Sequence, residues 1–203
     1  MENINDIYLR GTLKDIEHSH DIDGISFNRA KMICKRANGR EDIINLRFKS
    51  FSNPHSDGDE VCLQGNVRSY SYKNDDGNNK VVIYVFTYFD EPEDSFERDN
   101  LVRLSGRICK TNELRKTRSG KHNIHFIVAN NLTSQNNSKR LNSYIPCIAW
   151  GKTAQQLSEL SVNTKVNLFG ELHSREHTKT YEDGTMEIRV AHELLVESFE
   201  VVE

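Results

Sequence analysis

Trp150 is the only tryptophan of the chain, and it is followed directly by Gly151 and Lys152. A flat aromatic ring beside a cation can hold an unpaired nucleic-acid base by stacking while the cation attracts a phosphate. Tyr144 opens the same apolar segment after a polar loop and offers a second ring of this kind. Packing in a hydrophobic core is the alternative for both rings, and residue type alone leaves it open.

Cations are concentrated in the second half of the chain. Residues 100–203 contain 14 Lys and Arg against 11 Asp and Glu, whereas residues 1–99 contain 13 against 19. Because binding of phosphates depends on the local field, the second half is the better candidate. The densest segment, residues 115–121, is a basic turn that a solvated surface explains equally well. The cations expected to contact phosphates are Arg107, Lys110, Arg115, Lys116, Arg118, Lys121, Lys139, Arg140, Lys152, Arg175, Lys179 and Arg189.

Aromatic residues of the first half are spaced by two, as on one face of a strand. Tyr70 and Tyr72 begin this stripe, and it continues through residues 84–89. The rings can stack on bases or form a subunit interface, and the acidic balance of this half favours the interface. Phe48 and Lys49 are the weaker counterpart of Trp150 and Lys152.

Several classes of protein are not expected from this sequence. No apolar run approaches the roughly 20 residues that cross a bilayer, and the N-terminus lacks a signal-peptide core, so we expect a cytoplasmic protein. The chain has no phosphate-binding loop, nucleophile elbow or zinc-protease motif. The side chains of His18, His20, Asp21 and Asp23 are of types that bind zinc, but the composition of a loop explains them as well. We therefore expect no enzymatic activity, no cofactor, no metal and no small-molecule substrate. The four cysteines are widely spaced and are expected to be small buried residues.

The chain contains an internal repeat of about 95 residues. Asn5–Lys14 matches Asn100–Lys110, and Val61–Ser69 matches Val166–Ser174. A third match aligns residues 81–85 with residues 186–190 at the same offset of 105. Three matches in one order predict one structural unit used twice.

Alternation of apolar and polar residues predicts half-buried strands in both units. Gly11, Gly65, Gly106 and Gly170 interrupt strand patterns, as at the bends of small barrels. One short helix is predicted over Lys152–Leu160, whereas Pro54 and Gly58 break the corresponding segment of the first unit. Five strands per unit favour an all-β protein with two tandem OB-folds, five-stranded Greek-key barrels, over residues 1–90 and 100–203 with an acidic linker at 91–99.

The second unit resembles the bacterial single-stranded-DNA-binding (SSB) family. The resemblance rests on residues 100–108, 144–154 and 166–175, and its most specific part is Ala-Trp-Gly-Lys-Thr-Ala at 149–154. The family has members with two OB-folds per chain, and primosomal replication protein B is a relative.

The resemblance implies sequence-tolerant binding of single-stranded DNA in replication, recombination or repair by a nucleoid-associated protein. It implies that Trp150 and Tyr144 stack on bases, and that His177, with Tyr181 nearby, occupies a further binding position on a hairpin. It also implies assemblies of four OB-folds, which this chain would reach as a homodimer. The alternative is an OB-fold module of a primosome or mobile element that binds proteins and only weakly binds DNA.

Overall fold

The computed structural model describes residues 3–73, 77, 79–89, 98–133, 140–180 and 184–202. The predicted linker at 91–99 lies outside these ranges except for Arg98 and Asp99. The elements are β1 (Asn5–Ile22), β2 (Ile25–Lys35), β3 (Glu41–Lys49), β4 (Glu60–Lys73), β5 (Asn79–Thr87), β6 (Asn100–Thr111), β7 (Arg115–Lys116), β8 (His122–Thr133), β9 (Arg140–Trp150), α1 (Gly151–Ser158), β10 (Lys165–Thr180) and β11 (Met186–Val202).

Each repeat forms a closed barrel of five long strands. In the first barrel β1 pairs with β2 and β4, β2 pairs with β3, and β4 pairs with β5. A parallel pair closes the ring, with Leu46 of β3 opposite Val85 of β5. The second barrel follows the same order and closes with Cys147 of β9 opposite Leu194 of β11. The prediction of two tandem OB-folds is confirmed.

The helix of the second barrel covers the end of its core. Within α1, Ala154 and Leu157 are buried, which confirms the short helix predicted after the third long strand. The first barrel has only a 3₁₀ turn at Ser50–Ser52 in this position. Within the described ranges, no helix is both long enough and apolar enough to span a bilayer.

Two glycines show why the repeat keeps this residue inside its strands. A Cβ atom on Gly170 would lie 1.8 Å from the carbonyl oxygen of Leu195, at a register shift between β10 and β11. A Cβ atom on Gly11 would lie 2.3 Å from the carbonyl oxygen of Ile33. Neighbouring backbones therefore approach too closely for any side chain, as expected at the bends of a barrel.

Both copies of the repeat have an asparagine whose side chain hydrogen-bonds the first strand of the barrel to its fourth long strand, β1 to β4 and β6 to β10. Asn5 donates from Nδ2 to the carbonyl of Val67 and accepts its N–H, both at 2.8 Å. Asn100 makes the same pair of bonds with the backbone of Leu172, at 2.8 and 3.0 Å. Both asparagines are buried, so these bonds satisfy groups that water cannot reach.

The third sequence match was wrong in register. Val85 lies opposite Val67, and Leu194 lies opposite Leu172. The structural counterpart of Val85 is therefore Leu194, four positions beyond Val190, because the last hairpin of the second barrel is longer.

The two barrels are joined by an antiparallel pair between β1 and β6. Asn5 lies opposite Leu104, and Leu9 lies opposite Asn100. Because these are equivalent positions of the repeat, each strand presents the same positions to the other, as at an isologous interface. The barrels are therefore related by an approximate two-fold axis.

Hydrogen bonds beside this axis also occur in equivalent pairs. Ser69 Oγ accepts the N–H of Tyr144 at 2.8 Å, and Ser174 Oγ accepts the N–H of Ile43 at 2.8 Å. The Ser174 N–H donates to Asp42 Oδ1 at 2.5 Å, whereas the Ser69 N–H donates to Ser143 Oγ at 3.3 Å. The two sides of the junction between the barrels thus share the hydrogen bond from a backbone N–H to a serine. They differ in the acceptor of the serine N–H, which is the buried carboxylate of Asp42 on one side and the hydroxyl of Ser143 on the other.

Asp42 is 1% exposed and is held by Arg36, whose Nε donates to Asp42 Oδ2 at 2.6 Å. A second bond joins the Arg36 guanidinium to the other carboxylate oxygen. On the same side, the buried His192 lies 2.7 Å from the carbonyl oxygen of Ile43. A buried charge needs such a partner, so this ion pair fixes one side of the junction.

The cysteine prediction is confirmed for Cys34 and Cys147, which are buried, whereas Cys62 is only partly buried. It is wrong for Cys109, which is exposed. Burial raises the pKa of the Cys34 thiol to about 12, so this thiol stays protonated. Among the described residues, no group of three or more His, Cys, Asp or Glu side chains is arranged to bind a metal ion.

Candidate nucleic-acid interface

The outer face of β9 carries both rings singled out in the second barrel. Side chains of β9 alternate, so that Ile145, Cys147 and Ala149 are buried in the core. Tyr144 and Trp150 lie on the opposite, outward face, about 20 Å apart at the usual strand rise. Tyr144 is 51% exposed and Trp150 is partly exposed, so neither ring is sealed in the barrel.

Gly151 explains the order of residues around Trp150. Its φ is +60°, in the left-handed region that glycine adopts without steric cost, and it turns the chain from β9 directly into α1. Lys152 is exposed in the first turn of the helix. Lys121 Nζ lies 5.4 Å from the centroid of the Trp150 ring, within the range of a cation–π interaction.

Residues 115–121 form a hairpin beside Trp150. Arg115 and Lys116 form β7 and pair with Asn123 and His122 of β8. The side chains of Arg115, Lys116, Arg118 and Lys121 are exposed, and none forms an ion pair with a described carboxylate. This hairpin therefore concentrates unneutralised positive charge next to the exposed indole ring.

The cations of β6 and of the β10–β11 hairpin differ in exposure and in the groups that they contact. Arg107 donates to the carbonyl of Asn163 at 2.9 Å, and Lys110 is exposed at a register shift of β6. Arg175 is exposed on the outward face of β10. Lys179 is half-buried, whereas Arg189 binds Glu187 at 2.7 Å and so brings less net charge.

Four of the predicted binding residues lie wholly or partly outside the part of the chain that the structure describes. Lys139 and Tyr181 lie outside the described residues, and the side chains of Arg140 and His177 are not described either.

The prediction for Phe48 was wrong. Phe48 is fully buried in the first barrel and packs edge-on against Phe89, with ring centroids 4.8 Å apart. Even-numbered residues of β3 face the core, so Phe48 cannot reach a base. The register assigns the position of Trp150 to Lys49, since Lys49 lies opposite Phe27 as Trp150 lies opposite Asn123.

Lys49 has two aromatic neighbours, Phe51, which the sequence did not single out, and Tyr88 of the predicted stripe. Its Nζ lies 5.6 Å from the ring of Phe51 and 5.7 Å from the ring of Tyr88. Phe51 is 77% exposed and Tyr88 is 47% exposed. The ring and the cation have thus exchanged places, because the second barrel has Trp150 at the position of Lys49 and Lys152 at that of Phe51.

The tyrosine stripe of the first barrel encloses two arginines. The guanidinium of Arg47 lies 4.3 Å from the ring of Tyr70 and 5.0 Å from that of Tyr84. Tyr72 extends the stripe outward, 6.1 Å from Tyr70. Alternation of the strands could have placed Arg47 on this face, because Leu46 and Phe48 on either side belong to the core.

Arg68 lies 4.1 Å from the ring of Phe86. Its Nε is buried without a hydrogen-bond partner among the described atoms. Burial lowers the pKa of Arg68, and the nearby Tyr84 and Tyr88 oppose this shift. Arg47 and Arg68 form no ion pair with a described carboxylate. In contrast, Arg29 binds Glu17 at 2.8 Å and Lys31 binds Asp15 at 2.7 Å.

Two OB-fold barrels with exposed rings beside cations define a class of proteins that bind single-stranded nucleic acids. A family model described as the single-strand binding protein family matches residues 99–202. The chain belongs to this family, whose members bind single-stranded DNA and are not enzymes.

Comparison with solved structures extends the likeness to the whole chain. The wild-type single-stranded DNA binding protein from Thermus aquaticus is 17% identical, with a TM-score of 0.72, and the match covers 100% of this chain and 95% of that one. A deletion variant of the same protein matches with equal identity and TM-score over 99% and 95% of the chains. The protein priB from Ralstonia solanacearum is 13% identical over 50% of this chain and 97% of its own, with a TM-score of 0.38. A search of curated proteins found no match.

Proposed function

We propose that this protein coats single-stranded DNA with little sequence preference during replication, recombination or repair. The observation that carries the proposal is the partly exposed ring of Trp150, with Lys121 5.4 Å from its centroid and the basic hairpin beside it. A ring face accepts any base, and cations track the backbone, so binding by these groups tolerates sequence.

The second barrel supplies most of the phosphate contacts in this proposal. Trp150 and Tyr144 stack on bases at the two ends of the β9 face. The residues assigned to this barrel's surface are Arg107, Lys110, Arg115, Lys116, Arg118, Lys121, Lys139, Arg140, Lys152, Arg175, His177, Lys179, Tyr181 and Arg189.

The first barrel contributes through Tyr70, Tyr72 and Lys49. Arg47 and Arg68 favour DNA over a purely protein-binding role for this stripe, because a guanidinium without a carboxylate partner can bind a phosphate oxygen or an acceptor atom of a base. Each guanidinium is already held against an aromatic ring, so it loses little freedom on binding.

A homodimer would present four OB-folds to one strand, and we propose this state for the protein in the cytoplasm at the nucleoid. A protein-binding module is the second candidate function. It is favoured by Met186 and Ile188, apolar side chains of β11 that are 73% and 70% exposed. Tight binding to a protein together with weak, strongly salt-dependent DNA binding would favour that candidate.

Binding of a labelled dT oligonucleotide of about 30 nucleotides, roughly two large OB-fold sites, tests the proposal. Trp150→Ala should weaken binding by about 1–3 kcal/mol, the usual contribution of one stacked base. Val162→Ala, which truncates a side chain of the second barrel that is 50% exposed, is the matched control and should bind like the wild type. Equal affinities for the wild type and Trp150→Ala would contradict the assigned role of the ring.

A further inference from the structure

The first barrel has a cavity of about 220 Å³ on its outer face. It lies against the tyrosine stripe and is bounded by all five strands of the barrel. The lining includes the rings of Tyr70 and Tyr84 and the polar side chains of Asp15, Lys31, Asn45 and Arg47.

A β-bulge directs one of these side chains. The pairing of β1 with β2 shifts between Lys14 and Glu17, and Asp15 within the shift has a φ of +55°. Asp57 accepts the backbone N–H groups of Asp15 and Ile16 at 3.1 and 2.9 Å, which stabilises the bulge. Bulges re-aim side chains and occur often beside binding sites. Here the Asp15 carboxylate is held on the outer face by Lys31.

The second barrel has apolar residues at three of these lining positions. The strand registers make Ile127, Pro146 and Ile148 the counterparts of three lining residues of the first barrel. Those three first-barrel residues are Lys31, Asn45 and Arg47. At these three positions the first barrel alone has hydrogen-bonding side chains, whereas the second barrel has His125, Arg175 and Glu193 at the positions of Arg29, Tyr70 and Tyr84.

Existing hydrogen bonds hold the polar lining groups in place and leave some of their donors and acceptors available to a ligand. Asn45 Nδ2 donates to the carbonyl of Ile83 at 3.1 Å, which leaves Oδ1 as an acceptor. Arg47 donates from Nη2 to the Tyr70 hydroxyl at 2.9 Å, which leaves donors on Nε and Nη1. One oxygen of Asp15 accepts from Lys31 at 2.7 Å, and the other oxygen can accept a further hydrogen bond. Acceptors and donors thus stand beside a stacking surface.

We propose that this cavity binds a guanine base of the bound strand, an inference that depends on the proposed function and gives a base preference to one position of an otherwise sequence-tolerant surface. Of the four DNA bases, only guanine offers two adjacent N–H donors, N1 and N2, next to the O6 acceptor on its Watson–Crick edge. The carboxylate and amide oxygens suit the two donors, and Lys31 or Arg47 suits O6. A phosphate is disfavoured here because the carboxylates of Asp15 and Glu17 are part of the lining.

Competition binding to the full chain tests this proposal. The probes are dT oligonucleotides of about 30 nucleotides with one central dG, dA, dC or dT. The dG probe should bind at least about fivefold more tightly than the other three, the lower end of the discrimination given by a good bidentate contact. Asp15→Asn should remove this preference, and asparagine tolerates the positive φ. Lys31→Met on β2, outside the bulge, should reduce the same ratio.

Asp21→Asn is the matched control, because it removes one negative charge from the same strand outside the cavity. It should leave the dG preference intact, whatever its effect on overall affinity. Equal binding of all four probes by the wild type would overturn the proposal, as would an unchanged dG preference in Asp15→Asn. Failure of every probe to bind would instead contradict the proposed function.

Discussion

At the scale of single residues, the two barrels place rings and cations differently on the same scaffold. The second barrel has Trp150 at the end of its third long strand and a lysine on a neighbouring hairpin. The first barrel has Lys49 at that position and rings on either side of it. Both arrangements keep a cation near an exposed ring, which is the feature that base stacking with phosphate binding requires.

His192 should make stability depend on pH. Its Nε2–H donates to the carbonyl of Ile43, and burial lowers its pKa, opposed by that bond and by Asp42. A histidine with a depressed pKa in the folded state contributes its full stability above the unfolded pKa of about 6.5 and loses it as pH falls further. Urea unfolding should therefore show a larger loss of stability from pH 8 to pH 5.5 in the wild type than in His192→Gln.

His18→Gln provides the control for this experiment, because His18 lies at an exposed position on β1. It should keep the pH dependence of the wild type. An identical pH dependence in the wild type and His192→Gln would show that the junction histidine is not the titrating group.

At the scale of elements, the β7–β8 hairpin should carry much of the salt dependence of DNA binding. Each phosphate contact contributes about 0.7 to the slope of log K against log salt for single strands. Replacing both Arg115 and Lys116 with glutamine removes two such contacts and should reduce the slope by about 1.4. The measurement is the affinity for an oligo-dT at a series of salt concentrations.

The matched control removes two arginines that already bind carboxylates. Arg10 lies 3.3 Å from Asp99, and Arg103 lies 3.6 Å from Asp6. The Arg10→Gln, Arg103→Gln double variant should change the slope less. A larger change in this control than in the hairpin variant would contradict the assignment.

Regular elements could be predicted from the sequence because their signals are local. The alternation of β8 and β10, the turns and the apolar spacing of Ala154 and Leu157 all depend on near neighbours in the chain. The register between strands is not local, and this is where the predictions failed. Phe48 was matched to Trp150 by residue type, whereas the pairing with β2 and β5 places Lys49 there.

The arginines of the first barrel illustrate the same limit. Arg47 and Tyr70 are 23 residues apart and come together only because β3, β5 and β4 are adjacent. Predicting their contact requires knowing which strands are neighbours, and the spacing of the tyrosines alone does not provide this. The cavity next to them also depends on the bulge at Asp15.

At the scale of the whole molecule, one antiparallel strand pair arranges the two barrels about an approximate two-fold axis. The paired serines Ser69 and Ser174 repeat the junction on both sides. The ion pair of Asp42 and Arg36 occurs on one side only. The backbones of the two barrels are therefore arranged with approximate two-fold symmetry, whereas their side chains differ between the two surfaces.

Light scattering should find twice the mass of one chain for the free protein. Two copies would place four OB-folds in one particle, enough to hold a long strand along several faces. In a complex with long poly-dT, the mass should correspond to whole dimers. A single-chain mass at micromolar concentration would contradict the proposed homodimer and leave the surface of one chain as the binding unit.

The most direct measurement of the central claim is the fluorescence of Trp150 during titration with oligo-dT at low salt. As the only tryptophan of the chain, it reports on one position of the surface. The account predicts strong, saturable quenching, because a base stacked on the indole changes its surroundings. Unchanged fluorescence while the oligonucleotide is bound would show that the strand does not pass over this ring.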